Sequence, residues 1–182
     1  FKLLKILEKK NFLKNIKLQI KIDKRVPNKA GLGGGSMNAA NILIYLIKKR
    51  IIKITKSEVI KISKLIGSDV ILGLNSTNSI LTSKNIIKSF DNCKRIYTLI
   101  VKPNFGCSTK DIYLKVRKFT KPKFDIPKKN MFNFNYLKKM KNALEPIVLS
   151  KYPKLRIIRS KLESLSKQVF VRMTGSGSSI VA

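Results

Sequence analysis

A glycine-rich loop is the part of this 182-residue sequence with the most evident chemistry. Four glycines fall between Gly31 and Gly35, interrupted only by Leu32, and Ser36 follows them directly. Glycine lets the backbone approach a ligand closely and adopt positive φ. The apolar stretch after the loop predicts a helix over residues 36–48, whose first N–H groups and dipole would face the loop. The sequence therefore predicts an anion site, and nucleotide phosphates are the ligand we expect.

A strand is expected to lead into this loop, because apolar and polar residues alternate over residues 17–26. The loop fits neither of two common phosphate-binding motifs. It has no lysine in the register of a Walker loop, and Ser36 stands where the dinucleotide fingerprint needs its third glycine. A flexible surface linker is the alternative, but the apolar run at residues 42–47 favours a loop that enters a helix.

The composition indicates a folded protein. Hydrophobic residues make up 43% of the chain, which is enough for a core in one domain or in two small lobes. No apolar run approaches the roughly 20 residues of a membrane-spanning helix, so we expect no membrane partner. Cys93 and Cys107 lie far apart, and the sequence has no histidine. This disfavours a zinc site or a Cys-His nucleophile and favours reduced cysteines in an intracellular compartment.

The net charge of +31, from 40 basic and 9 acidic residues, makes a nucleic-acid partner an obvious interpretation. Lysine outnumbers arginine, however, and the basic residues are spread over all predicted elements rather than gathered in one stripe. Together with the many Ile, Asn and Phe residues, this bias suggests an AT-rich genome. We therefore expect no nucleic-acid partner, although a basic surface would attract phosphorylated substrates.

The remaining elements alternate irregularly between helix and strand, which predicts an α+β fold. Helices are expected at residues 1–10, 136–149 and 153–165. A further helix is expected to start at the capping box of residues 55–58, to carry its apolar face between residues 59 and 66, and to end at Gly67. Extended segments are expected from Asp69, near 79–82, at 95–102 and at 169–173, with a surface loop at 118–135.

Four separated segments carry a specific resemblance. They are residues 24–40, residues 66–70 (Ile-Gly-Ser-Asp-Val), residues 102–113 with Gly-Cys-Ser-Thr-Lys-Asp-Ile-Tyr, and residues 142–146 (Asn-Ala-Leu-Glu-Pro) paired with residues 172–178 (Arg-Met-Thr-Gly-Ser-Gly-Ser). Taken together, they resemble the 4-diphosphocytidyl-2-C-methyl-D-erythritol kinases of the non-mevalonate isoprenoid pathway, a branch of the GHMP small-molecule kinases. Their order and spacing match across nearly the whole chain.

This resemblance implies a two-lobed GHMP kinase fold of the α+β class. Residues 1–97 would form a partial N-terminal lobe with the ATP phosphate loop, and residues 98–182 a partial C-terminal lobe. It also implies an enzyme that uses ATP and Mg²⁺ to phosphorylate the 2-hydroxyl of a small-molecule substrate, 4-diphosphocytidyl-2-C-methyl-D-erythritol.

The resemblance assigns ATP binding to two glycine-rich segments. The residues so assigned are Pro27, Gly31, Leu32, Gly33, Gly34, Gly35, Ser36, Met37, Gly175, Ser176 and Gly177. Ser36 would lie near the phosphates or their Mg²⁺ and is the candidate metal ligand. The alternative for residues 174–178 is a plain hairpin turn.

Three further residues match the family's catalytic and substrate-binding positions. Asp69 matches the catalytic aspartate, which orients the acceptor hydroxyl and accepts its proton, although taken alone it could equally be a turn carboxylate. Thr109 would contact the substrate through its hydroxyl, and Tyr113 would stack on the cytosine ring. An ordinary buried tyrosine is the alternative for Tyr113.

The sequence also departs from the family pattern. Met37 replaces a serine, Ile71 and Leu72 replace a proline and an aromatic residue, and glycines are missing from residues 75–85. The family's N-terminal segment, with a catalytic lysine and a Tyr-His pair that reads the cytosine, has no counterpart in this chain. We therefore expect this polypeptide alone to be inactive and its first sheet to be incomplete.

Several alternatives remain open at this stage. The chain could belong to another GHMP kinase, acting on mevalonate, homoserine or a sugar. It could also be a basic nucleic-acid-binding domain or a non-catalytic remnant. The pathway implies a plastid-type organelle, such as an apicoplast, if the host is a eukaryote, and the cytoplasm if it is a bacterium. The sequence leaves the oligomeric state open.

Overall fold

The structure, a computed structural model, describes residues 2–14, 16–119, 121–165 and 170–182. Within these residues the chain divides into two compact units. The first comprises Phe1–Lys24, Gly34–Asp91 and Phe124–Pro127, and the second comprises Arg25–Gly33, Asn92–Lys123 and Lys128–Ala182. The division therefore falls inside the glycine loop, between Gly33 and Gly34.

The first unit is built on three helices: α1 (Lys2–Lys9), α2 (Gly34–Lys48) and α3 (Lys56–Ile66). Their apolar residues recur at helical spacing and meet in one core. Its buried members are Leu3, Leu7, Leu13, Leu43, Leu46, Ile52 and Ile62. The predicted helix after the glycine loop is thus confirmed, and it begins at Gly34 rather than Ser36.

The predicted capping box starts helix α3. The Thr55 hydroxyl accepts a hydrogen bond from the Glu58 N–H at 3.2 Å, and the Glu58 carboxylate accepts one from the Thr55 N–H at 2.7 Å. These hydrogen bonds from Thr55 lower the pKa of Glu58. The helix ends at Gly67, whose N–H donates to the Ser63 carbonyl at 3.1 Å. Both ends were predicted from local sequence.

A short hairpin completes the first unit. Strands β1 (Asn78–Leu81) and β2 (Ile87–Phe90) pair antiparallel, with Leu81 opposite Ile87. The strand predicted near residues 79–82 is therefore confirmed. Ser83, in the turn, donates from its N–H and its hydroxyl to the two Asp125 oxygens, at 2.9 and 2.7 Å. This contact joins Phe124–Pro127 to the first unit.

The second unit combines a small sheet with four helices. Strand β5 (Ile180–Val181) lies between β3 (Ile100–Val101) and β4 (Arg172–Met173), antiparallel to both. The helices are α4 (Thr109–Tyr113), α5 (Phe134–Lys139), α6 (Glu145–Lys151) and α7 (Pro153–Leu165), with a 3₁₀ turn at Lys129–Phe132. The buried core consists of Cys107, Ile112, Val148, Leu155, Leu162, Val171, Met173 and Ile180. The mixed composition of both units confirms the α+β class.

The strand predicted at residues 17–26 is not formed. The segment has no regular secondary structure, and Ile20, Ile22 and Val26 are exposed. Alternation predicts a strand only where a neighbouring strand can satisfy the backbone and cover the apolar face. Among the described residues, no strand pairs with this segment.

The extended run predicted from Asp69 is also wrong. Val70–Leu74 forms a 3₁₀ turn, with Asp69 in helical backbone conformation before it. Val70 and Ile71 are adjacent and both buried, a pattern that a two-sided strand and a packed turn share. The close packing of Gly73 on helix α2 favours the 3₁₀ turn over an extended strand.

Four other predictions needed shorter or different bounds. The strand expected at residues 95–102 contracts to Ile100–Val101, and the final strand to Arg172–Met173, with Val169 outside the described residues. The loop at 118–135 ends in the 3₁₀ turn and the start of α5. The helix expected at 136–149 is two helices, because the chain turns extended at Met140 after α5, and the Asn142 side chain between the two helices bonds to the Met173 carbonyl. None of the helices in the described ranges is long and apolar enough to cross a membrane.

Candidate functional site

Residues 29–31, which we call the first half of the glycine loop, are hydrogen-bonded to the turn that joins β4 to β5. The Lys29 carbonyl accepts hydrogen bonds from the N–H groups of Cys107, at 3.1 Å, and Ser178, at 3.2 Å. The Ala30 carbonyl accepts one from the Ser179 N–H at 3.0 Å. All of these residues belong to the second unit. Two glycine-rich segments that are remote in sequence thus form one backbone assembly, and we call residues 174–179 the glycine-serine turn.

Gly31 is the tightest point of this assembly. Its carbonyl accepts a hydrogen bond from the Thr174 hydroxyl at 2.7 Å, and its φ is +73°. A Cβ at Gly31 would lie only 2.2 Å from the Thr174 carbonyl oxygen, and a Cβ at Gly175 would lie 3.0 Å from the Gly31 carbonyl oxygen. Only glycine fits at Gly31, for both its positive φ and its close backbone contact.

The second half of the loop is open. Gly33 has φ of +67°, yet a Cβ at Gly33 or Gly35 would meet no atom within 4 Å. Helix α2 begins at Gly34, and no acidic residue in its first turn opposes the positive end of the helix dipole. Ser36 is half-buried in that turn. The first N–H groups of a helix have no partner within the helix, and the space at Gly33 and Gly35 leaves room for an anion at the start of α2.

Asp69 is positioned by the 3₁₀ turn that follows it. A Cβ at Gly73 would lie 2.8 Å from the Ala40 Cβ and 3.0 Å from the Met37 side chain, so the turn packs directly on the first turns of α2. Asp69 itself is exposed, and one of its carboxylate oxygens accepts a hydrogen bond from the Ser68 hydroxyl at 3.1 Å. Met37, which replaces a serine of the family pattern, therefore has a structural role, because its side chain contacts this turn.

Thr109 meets the glycine-serine turn directly. Its hydroxyl lies 2.7 Å from the hydroxyl of Ser176, and either of the two can donate. Ser108 caps α4 by accepting from the Asp111 N–H at 3.4 Å. Tyr113, at the other end of this short helix, is 56% exposed and so is not a buried core residue. Its ring is accessible to a ligand.

Near the glycine-serine turn, the Cys107 thiol is buried and Asp111 is paired with Lys151. Burial raises the pKa of the Cys107 thiol, which keeps it protonated and unreactive, as expected of an incidental cysteine. Lys151 donates a hydrogen bond to the Asp111 carboxylate at 3.1 Å. This bond lowers the pKa of Asp111 and raises that of Lys151. Asp111 is therefore engaged in an ion pair.

Two polar residues outside the predicted set contact the glycine-serine turn and its preceding strand. They are Asn142 and Glu145, in the Asn-Ala-Leu-Glu-Pro segment. The resemblance includes this segment but assigns no role to either residue. The signal in the sequence is a polar Asn and Glu among apolar residues. Ser179 is a further finding, because its buried hydroxyl oxygen has no hydrogen-bond partner among the described atoms.

Comparison with known proteins identifies the family. The family model for the GHMP kinases N terminal domain matches residues 1–80. The 4-diphosphocytidyl-2-C-methyl-D-erythritol kinase of Pelagibacter ubique is 54% identical to the chain over 181 residues, which is 100% of the chain and 64% of that protein. The enzyme of the same name from Petrotoga mobilis is 32% identical, over 91% of the chain and 67% of that protein.

A solved structure agrees with these relatives. The crystal structure of a 4-(cytidine 5'-diphospho)-2C-methyl-D-erythritol kinase matches 87% of the chain with a TM-score of 0.64 and 24% identity, which shows a shared fold. The chain therefore belongs to the GHMP kinases and, within them, to the 4-diphosphocytidyl-2-C-methyl-D-erythritol kinases. It spans about three fifths to two thirds of the length of the curated relatives it matches.

Proposed function

We propose that the full-length protein transfers the γ-phosphoryl group of ATP to the 2-hydroxyl of 4-diphosphocytidyl-2-C-methyl-D-erythritol. The names of the relatives support this substrate, and the comparisons give no support to a nucleic-acid-binding domain or to another GHMP kinase. The observation that carries the proposal is the hydrogen-bonded assembly of the loop at Lys29 to Gly31 with the glycine-serine turn. A linker would not be held at three successive carbonyls.

We assign ATP phosphate binding to the backbone of both glycine segments. The residues are Pro27, Gly31, Leu32, Gly33, Gly34, Gly35, Ser36, Met37, Gly175, Ser176 and Gly177. The open space at Gly33 and Gly35 fits the approach of a polyphosphate, and the free N–H groups at the start of α2 fit its negative charge. These residues would bind and orient the nucleotide, which is most of what phosphoryl transfer requires of a protein.

We assign Mg²⁺ to Ser36 and the nucleotide phosphates. Mg²⁺ bound with a nucleotide takes few protein ligands and keeps phosphate and water oxygens. Ser36, half-buried in the first turn of α2, offers one hydroxyl ligand next to the proposed phosphate site. When bound, the ion would neutralise charge on the phosphates.

Asp69 is proposed as the residue that orients the acceptor hydroxyl and accepts its proton. Its exposure leaves the carboxylate accessible to a substrate, and the Ser68 hydroxyl bond holds one oxygen in place. In the full-length protein, Asp69→Ala should lower kcat by orders of magnitude and leave ATP affinity within about twofold. Steady-state kinetics and calorimetric ATP titration measure both quantities. Near-normal turnover would remove Asp69 from the mechanism.

Thr109 and Tyr113 are proposed to bind the substrate. Tyr113 offers an exposed ring for stacking on cytosine, an interaction that contributes about 1–3 kcal/mol. Thr109 offers a hydroxyl already oriented by Ser176. Tyr113→Ala would therefore raise the KM of a cytidyl substrate and leave the KM of ATP unchanged.

The direct test is ADP release by the full-length gene product with four acceptors in parallel: 4-diphosphocytidyl-2-C-methyl-D-erythritol, mevalonate, homoserine and galactose. Turnover on the cytidyl acceptor alone is the expected result. Turnover on another acceptor would overturn the substrate and retain the kinase. Absence of turnover on all four would favour a non-catalytic remnant.

Two further assignments stay proposals. We infer that the full-length protein is divided into lobes to which residues 1–97 and residues 98–182 contribute as partial N-terminal and C-terminal lobes. The compact units of the fold differ from this division, because Arg25–Gly33 belongs to the second unit and Phe124–Pro127 to the first. We also infer a cytoplasmic enzyme if the host is a bacterium, as the bacterial relatives suggest, and a plastid-type organelle if it is a eukaryote.

A further inference from the structure

Asn142 uses its side-chain amide to hold the glycine-serine turn. Its Nδ2 donates to the Met173 carbonyl at 2.9 Å and to the Gly175 carbonyl at 2.7 Å. Its Oδ1 accepts from the Leu144 N–H at 3.0 Å, which fixes the orientation of the amide. Only an amide combines these two donors and this acceptor in one short side chain.

Glu145 holds the residue before the turn from the other side. Its Oε1 accepts from the Met173 N–H at 2.8 Å, and the residue is only 7% exposed. Arg159, which pairs with Glu163 at 2.9 Å, also lies 3.7 Å from Oε2 of Glu145. Asn142 and Glu145 therefore bind both polar backbone groups of Met173, and Asn142 reaches across to Gly175.

The glycine-serine turn, held in this way, contacts two other parts of the proposed site. The Thr174 hydroxyl binds the Gly31 carbonyl, and the Ser176 hydroxyl binds that of Thr109. Gly177 closes the turn by donating from its N–H to the Thr174 carbonyl at 2.8 Å. A shift of Met173 or Gly175 would therefore displace the backbone that meets the glycine loop.

We propose that Asn142 and Glu145 are positioning residues for nucleotide binding, acting through the glycine-serine turn rather than by touching the substrate. This inference rests on the proposed kinase function. Apolar side chains at these two positions would leave the Met173 N–H and the carbonyls of Met173 and Gly175 without these partners, so the pair fixes the backbone of the turn in addition to filling space. The two residues place the turn and the loop at Gly31 in the conformation that receives phosphate.

The test compares three variants of the full-length protein with the wild type. Asn142→Asp keeps the shape of the side chain but sets a carboxylate against two carbonyl oxygens. Glu145→Gln keeps an oxygen acceptor for Met173 and removes only the charge, so it is the milder change. Asn133→Asp is the matched control, because Asn133 caps α5 through its Oδ1 alone and aspartate caps equally well.

Two measurements are made on each protein. Calorimetry gives the dissociation constants of a non-hydrolysable ATP analogue and of the cytidyl acceptor. Hydrogen exchange, read by mass spectrometry, follows the segment at residues 173–179, whose Ser178 and Ser179 amides bond to the glycine loop. Neither readout requires turnover, so a failure of the proposed reaction leaves this test intact.

We expect Asn142→Asp to weaken nucleotide binding about tenfold, the effect of roughly one or two hydrogen bonds, and to raise exchange only at residues 173–179. The acceptor constant should stay within about twofold, and Asn133→Asp should change nothing. Glu145→Gln should show the same pattern at about two- to threefold, and it decides the matter if Asn142→Asp does not fold. Faster exchange with unchanged nucleotide binding, or equal weakening of both ligands with exchange raised throughout, would overturn the positioning role.

Discussion

The two halves of the glycine loop use glycine for opposite reasons. At Gly31 there is no space, because a Cβ would lie 2.2 Å from the Thr174 carbonyl oxygen. At Gly35 nothing lies within 4 Å of a Cβ, and the residue sits in the first turn of α2. A crowded glycine indicates packing, whereas an uncrowded one at a helix start leaves room for a ligand. The comparison therefore separates the anchored part of the proposed ATP site from the part that leaves open space for the phosphates.

The strongest way to break the anchored half is Gly31→Ala. The added methyl group would overlap a backbone carbonyl that cannot move alone, and alanine disfavours φ of +73°. We expect a loss of at least about 3 kcal/mol in the free energy of unfolding, together with loss of nucleotide binding. Urea denaturation of the full-length protein measures the first quantity. A loss below about 1 kcal/mol would mean that the loop and the turn are not tightly joined.

Gly33→Ala tests the intermediate case, where the backbone is strained but the space is open. Positive φ at a residue with a Cβ costs about 1–2 kcal/mol, so stability should fall by that amount. Binding of a non-hydrolysable ATP analogue should fall as well, because the Cβ would enter the open space. Unchanged stability would show that residue 33 can leave the left-handed region.

Thr174→Val removes one anchoring contact without changing the shape of the side chain. The Gly31 carbonyl loses the hydroxyl that donates to it at 2.7 Å, and we expect a loss of about 1 kcal/mol in the free energy of unfolding. The double variant with Gly31→Ala should lose less than the sum of the two, since both act on one contact. Strict additivity of the two unfolding energies would contradict a shared contact.

Gly35→Ala should change the free energy of unfolding least of these variants. It also distinguishes the two halves of the loop most clearly, because stability and ATP affinity should change in opposite directions. Alanine is the better helix former, so stability should rise by up to about 1 kcal/mol. If the open space receives phosphate, ATP affinity should nevertheless fall severalfold. A variant that gains stability and binds the ATP analogue as tightly as the wild type would remove Gly35 from the site.

Local signals were sufficient for several elements. Thr55 and Glu58 lie three residues apart and bond to each other, so their capping box is visible in the sequence and present in the structure. The apolar run after the loop likewise predicted α2. The segment at residues 17–26 shows the opposite case, because a strand depends on a neighbour that a local pattern does not contain.

The residues of the candidate site likewise fall into those that the sequence predicted and those that only the structure revealed. The resemblance provided the names of Asp69, Thr109 and Tyr113, and their roles stay predictions. It assigned no role to Asn142 or Glu145, whose contacts with Met173 span 31 and 28 positions. A Cβ at Gly73 would crowd Met37 and Ala40, and this fit explains why Val70–Leu74 turns instead of extending.

The glycine loop, the helix that follows it, the capping box and the family resemblance were all predictable from the sequence, because each depends on residues a few positions apart or on matched motifs. The tertiary structure decided that Gly31 meets Thr174, 143 positions away, and that Thr109 meets Ser176. It also decided that the helix expected at residues 136–149 is interrupted between Lys139 and Glu145, where the Asn142 side chain bonds to the carbonyls of Met173 and Gly175. Such contacts depend on the complete packing of the second unit, whose backbone groups must all find partners once buried.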